Sequence, residues 1–157
     1  MIAAVLTVSD SVSRGERTDA SGPTVAGLLS TKGFTVVATE IVADDRLAIQ
    51  EALVRLAGQA RLVVTTGGTG IAERDVTPEA TQGVCTRFLE GVSERMRAEG
   101  VKKTPFAVLS RGLCGIRDKS VILNLPGSPA GAVDSLQSVI DILPHIAQLL
   151  AGNTKHD

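Results

Sequence analysis

The sequence predicts an α/β protein, a three-layer α/β/α sandwich built on a mainly parallel sheet. Apolar, β-branched runs alternate along the chain with segments of helical periodicity, which is the pattern of βαβ units. The 157 residues, 43% hydrophobic and 21% charged, are enough for one hydrophobic core and too few for a second of any size. We therefore expect residues 1–157 to form a single domain with helices on both faces of the sheet.

The predicted elements follow one another in the order strand, helix, strand, helix, strand. The first and third strands are apolar enough to lie in the middle of a sheet that is covered on both faces. The predicted strands are Ile2–Val8, Phe34–Val42, Leu62–Thr66 and Ser120–Leu125, with a short edge strand at Ala107–Leu109. The predicted helices are Thr24–Ser30, Leu47–Ala57, Pro78–Phe88, Gly91–Arg97 and Ala130–Leu150.

Three dipeptides that end in proline mark predicted helix starts. Gly22-Pro23, Thr77-Pro78 and Ser128-Pro129 each place a residue that can cap a helix before a proline at the first helical position. Each start is expected to leave free backbone N–H groups that face forward, out of the helix.

Charge and composition exclude several function classes. Lysine and arginine number 16 against 17 acidic residues, so no basic excess is available for a polyphosphate backbone and nucleic acid is not an expected partner. The apolar start lacks a basic region and is broken by Ser9-Asp10, so we expect no signal or membrane span and a cytoplasmic protein. Cys85 and Cys114 are far apart in sequence and lack a histidine cluster, which predicts buried or idle thiols. Neither His145 nor His156 is placed in a site.

The unusual residues all follow the carboxyl ends of predicted strands. In parallel α/β sheets, ligands bind in the crevice at that edge. Four loops of different chemistry would therefore form one composite pocket. They begin at Ser9-Asp10, Asp44-Asp45, Thr65–Gly70 and Asn124–Pro129.

The glycine-rich loop Thr65–Gly70 is the strongest local signal. Its three glycines and three threonines permit tight turns and close backbone approach to an anion such as phosphate. The spacing matches neither a Walker P-loop nor a Rossmann fingerprint, and a tight turn between a strand and a helix remains an alternative. The helix start at Thr77-Pro78-Glu79 could direct N–H groups at the same phosphate.

Carboxylates beside this loop indicate a metal ion. Asp75 lies just beyond the loop, and Asp44 and Asp45 follow the second strand. Mg²⁺ in proteins usually takes one or two carboxylates together with substrate oxygens. The alternatives are an Asx turn for Asp75 and a helix N-cap for Asp44 or Asp45. Ser110-Arg111 could bind a phosphate through the arginine fork, although a solvated arginine is an equal alternative.

Six segments, in their order and spacing, resemble a known family. They are Leu6-Thr7-Val8-Ser9-Asp10, Asp19-Ala20-Ser21-Gly22, Thr65–Gly70, Arg74-Asp75-Val76-Thr77-Pro78-Glu79, Leu109-Ser110-Arg111 and Leu123-Asn124-Leu125-Pro126-Gly127-Ser128-Pro129. The chain resembles, over nearly its whole length, the molybdopterin adenylyltransferases of the MogA/MoaB type, which are also represented in a domain of gephyrin. The resemblance implies an α/β/α fold, a homotrimer and a molybdenum insertase as a partner. It also implies transfer of AMP from MgATP to the phosphate of molybdopterin, with release of pyrophosphate.

The resemblance carries the family's two functional carboxylates onto Asp44 and Asp75, which would hold Mg²⁺. The family pattern has a proline before the first of them where this chain has Ala43, and Asp45 follows directly, so Asp45 is the alternative. The residues expected to bind substrate are Ser9, Asp10, Thr66, Gly67, Gly68, Thr69, Gly70, Thr77, Ser110, Arg111, Pro126, Gly127 and Ser128. A non-catalytic scaffold of the same family and a nucleotide hydrolase remain alternatives.

Overall fold

The computed structural model describes residues 1–154, and His156 lies outside the described residues. Its six-stranded sheet has the order β2-β1-β3-β6-β5-β4. Strands β1, β2, β3 and β6 pair in parallel, whereas β5 runs antiparallel to β6 and β4 antiparallel to β5. The strands are β1 Ile2–Val8, β2 Thr35–Val42, β3 Leu62–Thr66, β4 Arg87–Phe88, β5 Cys114–Arg117 and β6 Ser120–Leu125.

Helices cover both faces of the sheet, which confirms the predicted sandwich. The side chains of β1 alternate between two cores, because successive strand residues point to opposite faces. Ala3 and Val5 pack with α2, α5, α6 and α7, while Ala4 and Leu6 pack with α3 and α4. The helices are α1 Asp10–Ser13, α2 Ser21–Thr31, α3 Arg46–Ala57, α4 Thr77–Val84, α5 Glu90–Gly100, α6 Pro129–Val139 and α7 Leu143–Leu150.

The predicted edge strand at Ala107–Leu109 is wrong. These residues lie in a 3₁₀ helix, Pro105–Leu109, that begins where the Thr104 hydroxyl accepts a hydrogen bond from the Phe106 N–H at 3.4 Å. Three apolar side chains of this 3₁₀ helix, those of Phe106, Val108 and Leu109, are exposed rather than buried. The apolar run therefore reflects a surface turn, and the sheet is instead extended by β4 and β5, which were not predicted.

Two predicted helices are shorter in the structure. The segment Pro78–Phe88 ends as a helix at Val84, and its last residues form β4. The segment Ala130–Leu150 is divided into α6 and α7, because Pro144 has no N–H to continue the helical hydrogen-bond ladder.

The helix starts are correct at one of the three predicted places. Ser128 is the N-cap of α6 and its Oγ accepts from the Gly131 N–H at 3.1 Å. Helix α2 instead begins at Ser21, and the Asp19 carboxylate accepts from the Gly22 N–H at 3.0 Å. Helix α4 begins at Thr77 itself, with Pro78 at its second position.

The parallel strands bring their carboxyl ends together along one edge. Because β2, β1, β3 and β6 are neighbours in that order, the loops after them lie side by side. No helix within residues 1–154 is long and apolar enough to cross a membrane.

Candidate active site at the carboxyl edge of the sheet

A polar pocket of about 480 Å³ opens where the four loops meet. Eight of the predicted site residues line it, together with Arg17 and Ser21 from the segment before and at the start of α2. The eight are Ser9, Asp44, Thr66, Gly67, Gly68, Asp75, Gly127 and Ser128. The predicted meeting of the loops is therefore present in the structure.

A second, more apolar pocket of about 430 Å³ adjoins the first. The two share Gly68, Asp75, Gly127 and Ser128, and the second adds the predicted residues Thr69, Gly70, Ser110 and Pro126. Its outer wall comes from α5 and the 3₁₀ helix, with Met96, Phe106 and Leu109, and its rim carries an ion pair of 2.6 Å between Lys103 and Asp134. Sequence reasoning missed this wall, whose one visible signal was the apolar segment after Pro105.

The glycine-rich loop is held in a conformation that only glycine tolerates. Gly67 and Gly68 have φ angles of +100° and +67°, in the left-handed region. A Cβ atom on Gly67 would collide with the Val8 carbonyl, and one on Gly68 with the Thr77 hydroxyl. The loop backbone thus crosses between the ends of β1 and β6, where the Gly67 N–H donates to the Leu125 carbonyl at 3.1 Å. A Cβ on Gly127 would lie 3.3 Å from Gly67 Cα, so main chain packs on main chain at the pocket floor.

Thr77 braces this loop from behind rather than lining a pocket. Its side chain is fully buried, and its hydroxyl donates to the Gly67 carbonyl at 2.9 Å. The Thr77 N–H donates to the Gly68 carbonyl at 3.1 Å, and Pro78 has no N–H. The Glu79 carboxylate takes a backbone hydrogen bond from its own residue. Contrary to the expectation for this helix start, its first N–H groups are therefore used within the protein.

Arg111 clamps the other half of the loop. Its backbone N–H donates to the Thr69 carbonyl, and its Nε and Nη2 donate to the carbonyls of Gly70 and Asp75 at 2.8 and 2.7 Å. Its Nη1 pairs with the Glu79 carboxylate. All three guanidinium nitrogens thus bind protein groups, and Arg111 lines neither pocket. The arginine fork that we expected to face a phosphate organises the loop instead.

Asp75 lies at the junction of the two pockets. Its Oδ2 accepts from the Ala72 N–H at 3.0 Å and so closes the Ala72–Asp75 turn, whereas in the Asx turn considered as the alternative the side chain would accept from an N–H two residues further on. The same oxygen would lie 2.8 Å from a Cβ on Gly70, so that glycine leaves room for the carboxylate. The turn and the pocket position are both present.

The structure separates Asp44 from Asp45. The Asp45 side chain accepts from the Ala48 N–H at 2.8 Å and caps α3. Asp44 instead lines the polar pocket, with Oδ1 3.2 Å from where a Cβ on Gly68 would lie. The helix-cap alternative therefore holds for Asp45, and Asp44 is the carboxylate at the site.

Asp10 lies behind Asp44 and lines neither pocket. The two residues exchange hydrogen bonds, from Asp10 N–H to Asp44 Oδ2 at 2.8 Å and from Asp44 N–H to Asp10 Oδ1 at 3.0 Å. Arg74 donates two more to the Asp10 carboxylate, from Nε at 2.9 Å and from Nη2 at 2.8 Å. The side-chain hydrogen bond from Arg74 is the main reason why the pKa of Asp10 is lowered. Arg74 belongs to the segment Arg74-Asp75-Val76-Thr77-Pro78-Glu79, and its partner could not be predicted from the sequence.

Negative charge accumulates around Asp44. Burial raises the pKa of its carboxyl group, and the charges of Asp10 and Asp75 raise it further, against the hydrogen bond from the Asp10 N–H and the charge of Arg74. Within residues 1–154 no group of three or more His, Cys, Asp or Glu side chains is arranged to hold a metal ion. The two carboxylates that line the polar pocket, Asp44 and Asp75, are the groups that could hold an ion such as Mg²⁺, which takes its other ligands from phosphate oxygens and water.

The loop after β6 depends on a buried amide that was not predicted to matter. Asn124 donates from Nδ2 to the hydroxyls of Thr65 and Thr81, at 3.1 and 2.9 Å, and its Oδ1 accepts from the Leu113 N–H at 3.1 Å. These bonds join β3, β6 and α4 at the second pocket, which Asn124 also lines. Thr66 adds a bond from its hydroxyl to the Pro126 carbonyl at 2.8 Å.

Comparison with known proteins identifies the family. Residues 4–145 match the family model described as a probable molybdopterin binding domain. The chain belongs to this family. Within the molybdopterin-binding family it is similar to the molybdopterin adenylyltransferase of Helicobacter pylori, with 44% identity over 95% of this chain and 87% of that protein. The enzyme of the same name from Escherichia coli K12 is 35% identical over 94% of this chain and 84% of its own length.

Solved structures of the family have the same fold. The molybdopterin biosynthesis enzyme MoaB from Thermus thermophilus superposes with a TM-score of 0.90 at 44% identity, over 96% of each chain. The tungsten cofactor synthesizing protein MoaB from Pyrococcus furiosus gives 0.87 at 34% identity, over 95% of this chain and 96% of that one.

Proposed function

We propose that this protein is a molybdopterin adenylyltransferase that transfers AMP from ATP to the phosphate of molybdopterin and releases pyrophosphate. The observation that carries the proposal is the placement of Asp44 and Asp75 beside the glycine-rich loop in one polar pocket. The two similar enzymes that bear this name, at 44% and 35% identity over most of the chain, support it. A role in the biosynthesis of the molybdenum cofactor follows from this reaction.

The proposed reaction needs little acid or base catalysis from the protein. The acceptor is a phosphate monoester whose second pKa is near about 6, so it is mostly a dianion at neutral pH and already a nucleophile. The barrier lies in bringing two anions together and in stabilising charge on the α-phosphoryl group. This agrees with a pocket built from carboxylates, hydroxyls and open loop backbone.

Asp44 and Asp75 are the residues that would hold Mg²⁺. When bound, the ion supplies positive charge to the phosphate oxygens and so lowers the repulsion between donor and acceptor. Asp44 is suited to this role because burial and its acidic neighbours raise its pKa, and a cation would relieve that cost. Asp75 lines both pockets, and its Oδ2 is anchored by the Ala72 N–H.

The remaining pocket residues position the substrates. The backbone of Gly67–Gly70 and the hydroxyls of Ser9 and Ser128 provide polar groups along the floor and walls, while the Thr66 hydroxyl is bound to the Pro126 carbonyl. Asp10, Thr77 and Arg111 act from behind, by fixing Asp44 and the loop. Two adjoining pockets of about 480 and 430 Å³ offer separate places for the two substrates.

The assay that tests this function is direct. The purified protein is mixed with molybdopterin, ATP and Mg²⁺, and both pyrophosphate and adenylylated molybdopterin are measured. Formation of both in equal amounts supports the transferase. Loss of ATP without an acceptor product would indicate a hydrolase, and binding of molybdopterin without turnover would indicate a scaffold.

The proposal includes assembly as a homotrimer in the cytoplasm and delivery of the product to a molybdenum insertase. It rests on the family, and on a formal net charge of −1, which leaves little self-repulsion between copies. We expect light scattering at micromolar concentration to give three times the chain mass of 16.3 kDa. If the monomer mass is found at every concentration, the proposed trimer is wrong and the proposed reaction is unaffected.

A further inference from the structure

Two segments that are distant in sequence carry the carboxylates of the site. Asp44 follows β2, and Asp75 lies in the turn that leads into α4. Each carboxylate would have to keep its place relative to the other for both to bind one ion. Arg74 comes directly before Asp75 in the chain, and its side chain donates to Asp10, which is hydrogen-bonded to Asp44.

The connection passes through Asp10. Both oxygens of the Asp10 carboxylate accept from the Arg74 fork, at 2.9 and 2.8 Å, which fixes the plane of that carboxylate. Asp10 in turn exchanges two hydrogen bonds with Asp44, and one of them holds Asp44 Oδ2 through the Asp10 N–H. Removing the fork would free Asp10 to rotate and would loosen the bond that its carboxylate accepts from the Asp44 N–H.

Neither the exposure of Arg74 nor its position suggests a large role in folding or a direct contact with substrate. Its side chain is 66% exposed, and exposed ion pairs contribute little to stability. It lines neither pocket. The bidentate hydrogen bond from Arg74 to Asp10 is better explained by the orientation that it imposes, through Asp10, on Asp44.

We propose that Arg74 is a positioning residue that acts through Asp10 to hold Asp44 at a fixed orientation relative to Asp75, so that both carboxylates face one divalent cation. The inference rests on the proposed function. It adds to that function a residue outside both pockets. Residues that orient metal ligands in this way typically change metal affinity by about ten- to a hundredfold.

The test measures how much Mg²⁺ strengthens nucleotide binding. The probe is α,β-methylene-ATP, whose α–β linkage cannot be cleaved by adenylyl transfer. Its dissociation constant is measured by calorimetry in Mg²⁺ and again in EDTA, and the ratio of the two gives the metal-dependent gain. The variants are Arg74→Gln, which removes the charge, and Arg74→Lys, which keeps the charge and loses the fork.

Arg55→Gln is the matched control. Arg55 makes the same kind of bidentate bond to Glu40, at 2.6 and 2.8 Å, and its side chain is 52% exposed. That pair joins α3 to β2 and contacts neither pocket. Asp44→Asn provides the reference for a site that has lost one of its metal ligands.

We expect Arg74→Gln to lower the metal-dependent gain about tenfold and to leave the affinity in EDTA unchanged. Arg74→Lys should fall between this variant and the parent, and Arg55→Gln should match the parent. In the transfer assay, Arg74→Gln should need more Mg²⁺ for its half-maximal rate. The rate that it loses at low Mg²⁺ should be partly recovered at high Mg²⁺. Its unfolding temperature, followed by circular dichroism, should shift by less than about 4 °C.

Two results would overturn the inference in different ways. If the parent protein shows no metal-dependent gain, the metal site itself is wrong, and the proposed function loses its cation along with the role of Arg74. If the parent shows a gain and Asp44→Asn abolishes it while Arg74→Gln keeps it in full, only the positioning role fails. A loss of affinity for Arg74→Gln that is equal in EDTA and in Mg²⁺ would mean that Arg74 binds phosphate directly, which also contradicts the proposal.

Discussion

Asp44 and Asp45 are neighbours in the chain, and the backbone turn after β2 gives them different environments. The Asp45 carboxylate satisfies an N–H group at the start of α3, which has no partner within the helix. The Asp44 carboxylate faces a pocket where burial and two other acidic residues raise its pKa. The sequence predicted both roles and could not assign them, because a shift of one residue at the strand end exchanges the two side chains.

Substitution of Asp44 should impair adenylyl transfer, whereas substitution of Asp45 should lower the stability of the fold. We expect Asp44→Asn to lower adenylyl transfer at least a hundredfold, or by about 3 kcal/mol, while the protein stays folded. Asp45→Ala should lower the free energy of unfolding by about 1 kcal/mol as a lost N-cap, with little change in transfer rate. Thermal unfolding by circular dichroism and the pyrophosphate assay measure the two effects. A large loss of transfer in Asp45→Ala alone would exchange the assignments.

Asp75→Asn tests the carboxylate at the junction of the pockets. An asparagine oxygen can still accept from the Ala72 N–H, so the turn should survive while the negative charge is lost. Transfer should fall by two or more orders of magnitude, which is roughly 3 kcal/mol of transition-state stabilisation. If the variant turned over at the parent rate with the same Mg²⁺ dependence, Asp75 would be a loop residue only.

At the scale of elements, the loop after β3 takes its shape from groups that approach it from several directions. Thr77 holds its first half, Arg111 holds its second half, and Asn124 fixes the strands beneath it. None of these contacts joins residues closer than ten positions in sequence. The glycine spacing predicts where the loop is, and long-range hydrogen bonds determine its conformation.

Gly68→Ala and Gly33→Ala separate backbone strain from collision. Both glycines have positive φ angles, +67° and +86°, so either substitution should cost about 1 to 2 kcal/mol of stability. A Cβ on Gly33 meets no atom within 4 Å, whereas one on Gly68 collides with the Thr77 hydroxyl and approaches Asp44. We therefore expect Gly68→Ala to lose more stability and most of its transfer activity, and Gly33→Ala to keep its activity. Equal activity in both variants would mean that the loop conformation does not matter for the reaction.

The elements that sequence reasoning found and missed differ in length and in the range of their contacts. The four strands that form the parallel part of the sheet have five to eight residues and strong apolar patterns, and they were predicted nearly to the residue. Strand β4 has two residues and β5 has four. Such short segments are strands only because they pair with β6 and with each other, which no local pattern reveals.

For the whole molecule, burial of the two thiols links stability to alkaline pH. Burial raises the pKa of Cys85 to about 11 and that of Cys114 to about 12, from 9.0 in each case. Both groups therefore stay protonated and unreactive near neutral pH. Because the pKa is raised in the folded state, the stability that each thiol contributes is complete below about pH 9. That stability is lost as the pH rises towards 11 and 12.

We expect the free energy of unfolding to fall by about 1 kcal/mol between pH 8 and pH 10 through Cys114 alone. The chain has no tyrosine, so no phenol titrates in this range and the thiol contribution is easier to isolate. Denaturant unfolding at each pH, for the parent and for Cys114→Ala, measures it. Cys114→Ala will be less stable at every pH because a buried side chain is lost. Its free energy of unfolding should fall less steeply with rising pH than that of the parent. Parallel curves would contradict the predicted linkage.

The glycine contact at the pocket floor limits how such a site can diversify. Where Gly67 and Gly127 meet, the surface that faces a ligand is main chain. A Cβ on Gly67 would collide with the Val8 carbonyl of β1, and one on Gly127 would press on Gly67. Selectivity for a different ligand would have to come from the walls instead. In the wall, which lies outside the sheet, Phe106 and Leu109 are exposed, whereas Met96 is buried in the core. A directed-evolution library aimed at new substrates should therefore leave the glycines and Met96 fixed and vary Phe106 and Leu109.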